Sequence, residues 1–348
     1  MTVTDLAVEP LDLAMTAPFE IATGTQHAAE NVLVTVTLDD GTRGFGEGAP
    51  ATSVTGETQA ATLETARAAA ALVEGEDEAQ YRDLVAAVRS TFPKQPAATL
   101  AVETAVLDAY CRRRDLPLAA LFGGAPDTVE TDLTVPILDA GVARERAATA
   151  VEDGYETLKV KTGTTVERDV ERVAAVRDAA PDATLTVDAN QGWTPNESVR
   201  FADALDDRGV DLALLEQPVA AADLTGMAHV RERVSVPVGA DESVFTPDDA
   251  VRVVRADAAD VLNVKLGKSG LLGGQAIVEV ARAANREAMV GCMVESSLGT
   301  HAAAHLVAGD GRFAHVDLDS NRLLAEDLGS LERGPVIEPA GPGHGVEP

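Results

Sequence analysis

The sequence predicts an α/β protein, an N-terminal α+β unit followed by a TIM-type (β/α)7β barrel. Three observations predict it. The first fifty residues read as strands, and from about Thr58 to Arg114 the chain reads as alanine-rich helices. From residue 131 onward, short apolar runs alternate with helical stretches. Strands followed by helices make an α+β unit, whereas sustained βα alternation makes a parallel barrel. The 348 residues allow one large domain or two smaller ones, with ample chain for a core.

The opening segments VTDLAVEPLDL (3–13) and ENVLVTVTLDDGTRGFGEG (30–48) alternate apolar with polar residues, and Asp40-Gly41 marks a hairpin turn. ETQAATLETARAAAALVEG (57–75) and PAATLAVETAVLDAYCRRR (96–114) carry helical patterning. LPLAALFGGAPDT (116–128) reads as a linker, punctuated by Gly123-Gly124 and Pro126. Eight strand-like runs follow, TDLTVPI, YETLKVK, ATLTVDAN, VDLALLEQP, SVPVGADES, ADVLNVK, AMVGCMVES and FAHVDLDS. An open doubly wound sheet fits less well, because no GxGxxG follows a first strand and charged strand ends are spread over many strands. The expected division is residues 1–125, 126–319 and 320–348, the last packing back on the N-terminal unit.

Composition excludes several classes. There are 28 Lys+Arg against 57 Asp+Glu, a net charge of −29, and no basic stripe for a nucleic acid. No run of about 18 apolar residues suggests a membrane span, and the N-terminus lacks the pattern of a secretion signal. Cys111 and Cys292, far apart in sequence, fit a reducing cytoplasm better than a disulfide framework. Such acidity suits concentrated salt, so a halophilic source is an expectation. Oligomeric state is left open.

The distribution of cations points to chemistry. Only Lys94, Lys159, Lys161, Lys265 and Lys268 are lysines, and the last four sit in LKVKTG and NVKLGKSG. Five successive strands end in ionisable residues: Lys159 and Lys161, then Asp188, Glu216, Asp241 and Lys265. In a barrel these ends meet at one mouth. Three converging buried carboxylates require a cation, and an all-oxygen set suits Mg²⁺, with Mn²⁺ next. Lys159 and Lys161, two apart on a strand, share its inner face, and each disfavours protonation of the other. Lys265 falls roughly opposite them, so a proton could leave one face of a carbon and return to the other. His301 and His305 share a helix face; a zinc pair there is a weaker reading than a buried pair satisfied by its surroundings. Lys268 reads as a loop cation near the acidic mouth.

At these residues the chain resembles the enolase superfamily, and within it the muconate-lactonizing-enzyme subgroup. The resemblance covers nearly the whole chain, through GTRGFGEGAP, KVK, DAN, EQP, DES and KLGKSG. One departure is KSGLLGG, whose double glycine is displaced from its usual place. The resemblance implies that Lys161 and Lys265 are an acid/base pair, that Asp188, Glu216 and Asp241 bind Mg²⁺, and that Lys159 supports Lys161 and touches the substrate carboxylate. It makes the N-terminal unit a capping domain. It also implies that Asp317 and Asp319, at the last strand end, hold an α-ammonium group as in dipeptide epimerases, with Thr134, Cys292 and Val294 lining the same pocket.

The implied reaction is epimerisation of the C-terminal residue of a dipeptide by proton transfer between two lysines through an enediolate. The alternatives are a cycloisomerase, an o-succinylbenzoate synthase or an N-acylamino acid racemase of the same subgroup. A Schiff-base aldolase using Lys161 or Lys265, and a non-catalytic Mg²⁺- and anion-binding barrel, represent other classes. Relatives acting on Ala-Glu often carry Arg in the first capping loop. Here that loop, FEIATGTQHAAE (19–30), has neither Arg nor Lys, so an acidic second residue is not expected to be preferred.

Overall fold

The computed structural model describes residues 1–21, 24–328 and 334–348. Strands β1 (Val3–Ile21), β2 (Gly24–Leu38) and β3 (Arg43–Gly48) form an antiparallel meander. Gly41 turns the second hairpin at φ 86°, with its N–H donating to Leu38 O. Helices α1 (Gln59–Val73), α2 (Tyr81–Thr91) and α3 (Pro96–Arg113) cover this sheet. β3 presents glycine at alternate positions where α3 crosses it. A Cβ at Gly44, Gly46 or Gly48 would run into the α3 backbone at Ala109, Ala101 or Ala97. Alternating glycine on the strand and alanine every four residues on the helix therefore bring the two backbones together.

After β4 (Val129–Glu130), eight parallel strands alternate with seven helices. They are β5 (Leu133–Val135), α4 (Ala140–Glu152), β6 (Thr157–Lys161), α5 (Val166–Ala179), β7 (Thr184–Asp188) and α6 (Pro195–Asp206). Next come β8 (Leu214–Glu216), α7 (Leu224–Arg231), β9 (Val238–Ala240) and α8 (Pro247–Arg255). The series ends with β10 (Val261–Lys265), α9 (Leu266–Ala283), β11 (Glu287–Gly291), α10 (Ser297–Asp310) and β12 (Phe313–Val316). The strands pair in sequence order, and Asp132 N donates to Val316 O to join the first strand to the last. This is the expected (β/α)7β barrel. Helices α6 and α8 begin on capping boxes, Thr194 with Glu197 and Thr246 with Asp249, each followed by proline.

Strand alternation decides what faces the barrel axis. Leu158, Val160, Leu185 and Val187 join the large apolar core beneath the helices, leaving Lys159, Lys161, Thr186 and Asp188 inside. Helix α9 follows β10 directly and breaks at Gly270 (φ 70°). Glu103 of α3 accepts from Leu272 N at 2.8 Å there while pairing with Arg89 at 2.7 Å. A Cβ at Gly270 would collide with both side chains. The KSGLLGG sequence thus has a local cause: its first glycine supplies the left-handed break that Glu103 caps.

The C-terminal segment touches both the barrel side and the N-terminal unit. β13 (Val336–Ile337) pairs with β4, His344 N donates to Asp108 Oδ1 at 2.9 Å, and Val346 packs with Leu33, Phe45 and Leu298. Among the described residues no helix is long and apolar enough to cross a membrane.

Candidate active site

The C-terminal ends of β6 to β10 bring the strand-end charges together. Asp188, Glu216 and Asp241 are almost fully buried, and each can place one oxygen within 4.8 Å of the others. Among the described residues no His or Cys joins this trio. With the protein's own charges alone, burial and the neighbouring Asp188 and Asp241 push Glu216 up to about 8. Asp188 stays at about 2, because Lys161, Lys159 and Lys265 together outweigh its burial. A hard divalent cation relieves this arrangement, so the donor set fits Mg²⁺.

The lysines hold distinct posts. Lys161 Nζ lies 2.7 Å from Asp188 Oδ2, and Lys265 Nζ lies 2.7 Å from Asp241 Oδ2. The two Nζ atoms therefore flank the carboxylate trio, and both side chains line one cavity. Lys265 is held charged: Asp241 outweighs the cost of burial. Lys159 departs from the expectation of an open contact with substrate. Its side chain is 0% exposed, and Nζ lies 2.6 Å from Asp317, 2.7 Å from Glu216 and 3.2 Å from Asp188. Those carboxylates overcome its burial and raise its pKa well above the usual range, so it is a fixed charge rather than a neutral amine.

Lys268 requires a correction. It is no loop cation but a 2% exposed residue in the first turn of α9, with Nζ 2.6 Å from Asp241 Oδ1 and 2.5 Å from Asp241 O. Asp241 is thus gripped through one oxygen by Lys265 and through the other by Lys268. The three-residue spacing on a helix following directly from a strand end was the available signal.

The cavity above these groups measures about 490 Å³. Thr134, Cys292, Val294, Asp317 and Asp319 line it from the barrel. Asp319 Oδ2 accepts from Thr134 N at 2.6 Å, while Asp317 rests on Lys159. Burial and the two aspartates raise the Cys292 thiol well above its ordinary range, which suits a wall residue and not a nucleophile. The capping domain contributes Thr25, Gln26, His27, Ser53, Val54 and Glu57, and no Lys or Arg among the described residues. Within the first capping loop, Ala22 and Thr23 lie outside the described residues.

Several supporting residues escaped the sequence reading. Asn263 donates to Glu216 Oε1 at 2.7 Å, and Asn190 donates to Asp188 at 3.2 Å and to Glu242 at 3.3 Å. Gln217, at φ 34°, accepts from Asp241 N and Ser243 N, tying the EQP segment to DES. Asn263 was the most legible of these, since it sits two before Lys265 on the same inner face. On the helix side, His305 is not a metal ligand: its ring nitrogens meet Ala119 N at 3.3 Å and Ala340 O at 2.9 Å.

A barrel whose mouth sets three buried carboxylates between two lysines, under an α+β cap, defines a class, and comparison with known proteins names it. Residues 5–123 match the mandelate racemase / muconate lactonizing enzyme N-terminal domain, and residues 142–348 match the enolase C-terminal domain-like family. The chain belongs to this enolase-superfamily group. It is 37% identical to an aromatic dipeptide epimerase of Herpetosiphon aurantiacus, covering 99% of this chain and 98% of that one. It is 36% identical to an L-Ala-D/L-Glu epimerase of Thermotoga maritima, over 89% and 90% of the two chains. The crystal structure of a dipeptide epimerase from Enterococcus faecalis, complexed with Mg and L-Leu-L-Tyr, superimposes with a TM-score of 0.96 at 35% identity, over 99% of each chain.

Proposed function

We propose that the protein is a Mg²⁺-dependent dipeptide epimerase that inverts the α-carbon of the C-terminal residue. The observation that carries this reading is the placement of Lys161 and Lys265 on either side of the carboxylate trio, both open to the cavity that Asp317 and Asp319 also line. Asp188, Glu216 and Asp241 would hold the ion. An ion held there would supply the positive charge that makes the C–H beside a substrate carboxylate more acidic. One lysine takes the α-proton and the other returns one to the opposite face, a general acid–base contribution of about 10²–10⁴-fold. Lys159 keeps a positive charge beneath the reacting centre and fixes Asp317. Asp317 and Asp319 receive the dipeptide's ammonium group, with Thr134 N orienting Asp319.

The capping wall argues against an acidic side chain. Among the described residues it offers Gln26, His27 and Ser53 but no Lys or Arg, and Glu30 and Glu57 stand in the same wall. Neutral polar or apolar second residues are therefore the proposed substrates. The test is a library of L,L-dipeptides in D₂O with Mg²⁺, followed by mass spectrometry. Wild type incorporates one deuterium and yields the epimer, whereas Lys161→Ala and Lys265→Ala each abolish inversion. Preferential turnover of L-Ala-L-Glu would overturn the substrate assignment, and borohydride trapping of a substrate adduct would overturn the mechanism.

A further inference from the structure

The opposite end of the barrel holds a second cavity. Under β8, β10 and β11 the floor is plugged by Leu214, Val261 and Met289. Beneath β5, β6, β7 and β12 it instead opens into a space of about 330 Å³, whose wall includes Asp132, Thr157, Thr184, Thr186 and His315. Asp132 and Thr186 are 3% and 2% exposed. Asp132 Oδ1 and Thr186 Oγ1 have no protein hydrogen-bond partner among the described residues. Buried polar atoms are nearly always satisfied, so two unpaired oxygens on one cavity point to a bound species.

Charge narrows that species. Asp188, Glu216, Asp241 and Asp317 each touch a lysine Nζ, whereas Asp132 makes no ion pair among the described residues. The lysine that acts on it, Lys159, is already shared by three other carboxylates. Burial, then Asp317 and Asp319, push the Asp132 carboxyl well above the carboxylate range. An uncompensated buried carboxylate takes up either a proton or a cation. The wall carries threonine hydroxyls and two exposed acids, Glu130 and Glu156, and His315 adds no competing charge because burial lowers its pKa. Among the described residues Asp132 is the one buried acid of this wall, so its interior offers a single formal charge and not the several carboxylates that hold a divalent ion.

We propose that this floor cavity is a monovalent-cation site, with the Asp132 carboxylate as its charged ligand and the Thr186 hydroxyl as a neutral one. Na⁺ or K⁺ there would offset the excess of carboxylates below Lys159. It would also brace the start of β5, whose next inward residue, Thr134, holds Asp319. The site is independent of the proposed reaction, so its test needs neither dipeptide nor Mg²⁺.

The full-length protein is unfolded thermally in EDTA with KCl, NaCl or choline chloride at equal ionic strength. K⁺ or Na⁺ is expected to raise the midpoint over choline, by an increment that grows with the logarithm of cation concentration above its Kd. The increment should vanish in Asp132→Asn and shrink in Thr186→Val. Crystals grown in RbCl or TlNO₃ should show an anomalous peak between these two side chains. Equal midpoints in the three salts, an undiminished increment in Asp132→Asn, or no anomalous peak in the cavity would each overturn the assignment. Should Asp132→Asn fail to fold, Thr186→Val and the diffraction experiment still decide.

Discussion

Replacing Asn263 with alanine should weaken Mg²⁺ binding without unfolding the protein. Asn263 and Glu216 are both fully buried, and their contact of 2.7 Å is a hydrogen bond to a carboxylate that the ion would share. A bond of this kind contributes about 1.5–3 kcal/mol. At 1.4 kcal/mol per factor of ten, that corresponds to roughly 10–100-fold in affinity, the range seen when orienting partners of metal ligands are removed. Lys159 still holds the other oxygen of Glu216 at 2.7 Å, so the expected loss lies near the lower end, about 10–30-fold. Titration calorimetry of EDTA-stripped protein with MgCl₂ measures it directly. Turnover should fall at limiting Mg²⁺ and recover largely at saturation. A folded Asn263→Ala variant whose Mg²⁺ Kd stayed within twofold of wild type would refute the orienting role.

Three further outcomes are expected. Gly46→Ala forces a Cβ into the Ala101 carbonyl of α3, a backbone clash that should cost about 1–3 kcal/mol or more in urea unfolding. Glu295, pushed up to about 8 by burial and then by Glu47, keeps its proton more tightly when folded than when unfolded. Its contribution is therefore full below about pH 4.5 and declines toward pH 8, so urea midpoints should drop across this window and drop less in Glu295→Gln. Finally, a net charge of −29 should make the protein less stable at 0.05 M than at 2 M salt; a thermal midpoint indifferent to salt would remove the case for a halophilic source.

Much of this molecule was legible because its barrel obeys period-two alternation. Five successive apolar runs ended in a charge, and the turn from outward Leu158 and Val160 to inward Lys159 and Lys161 followed from spacing alone. The carboxylate trio was readable for the same reason, since each member directly follows a buried run. What spacing could not disclose was competition among the charges. KVK suggests two like charges disfavouring each other, yet Lys159 faces three carboxylates contributed by strands as distant as β12, and those decide its state. Lys268 was missed because a helix beginning at Leu266, directly after the strand, turns a loop position into a buried one. Asp132 precedes its strand in an acid-rich chain, where spacing does not single it out; its isolation shows only once the barrel is closed.

The Glu103 contact with the broken helix α9 bears on modularity. The segment carrying Lys265 takes its shape partly from a carboxylate on the capping domain, which terminates Arg89 and covers the free N–H of Leu272 where the chain turns at Gly270. A barrel cut away from the N-terminal domain would lose that partner and leave the helix after Lys265 to re-form its own start. For anyone grafting new specificity onto this scaffold, cap and barrel should be exchanged as one unit, or the α3–α9 junction carried across together with whichever half is kept.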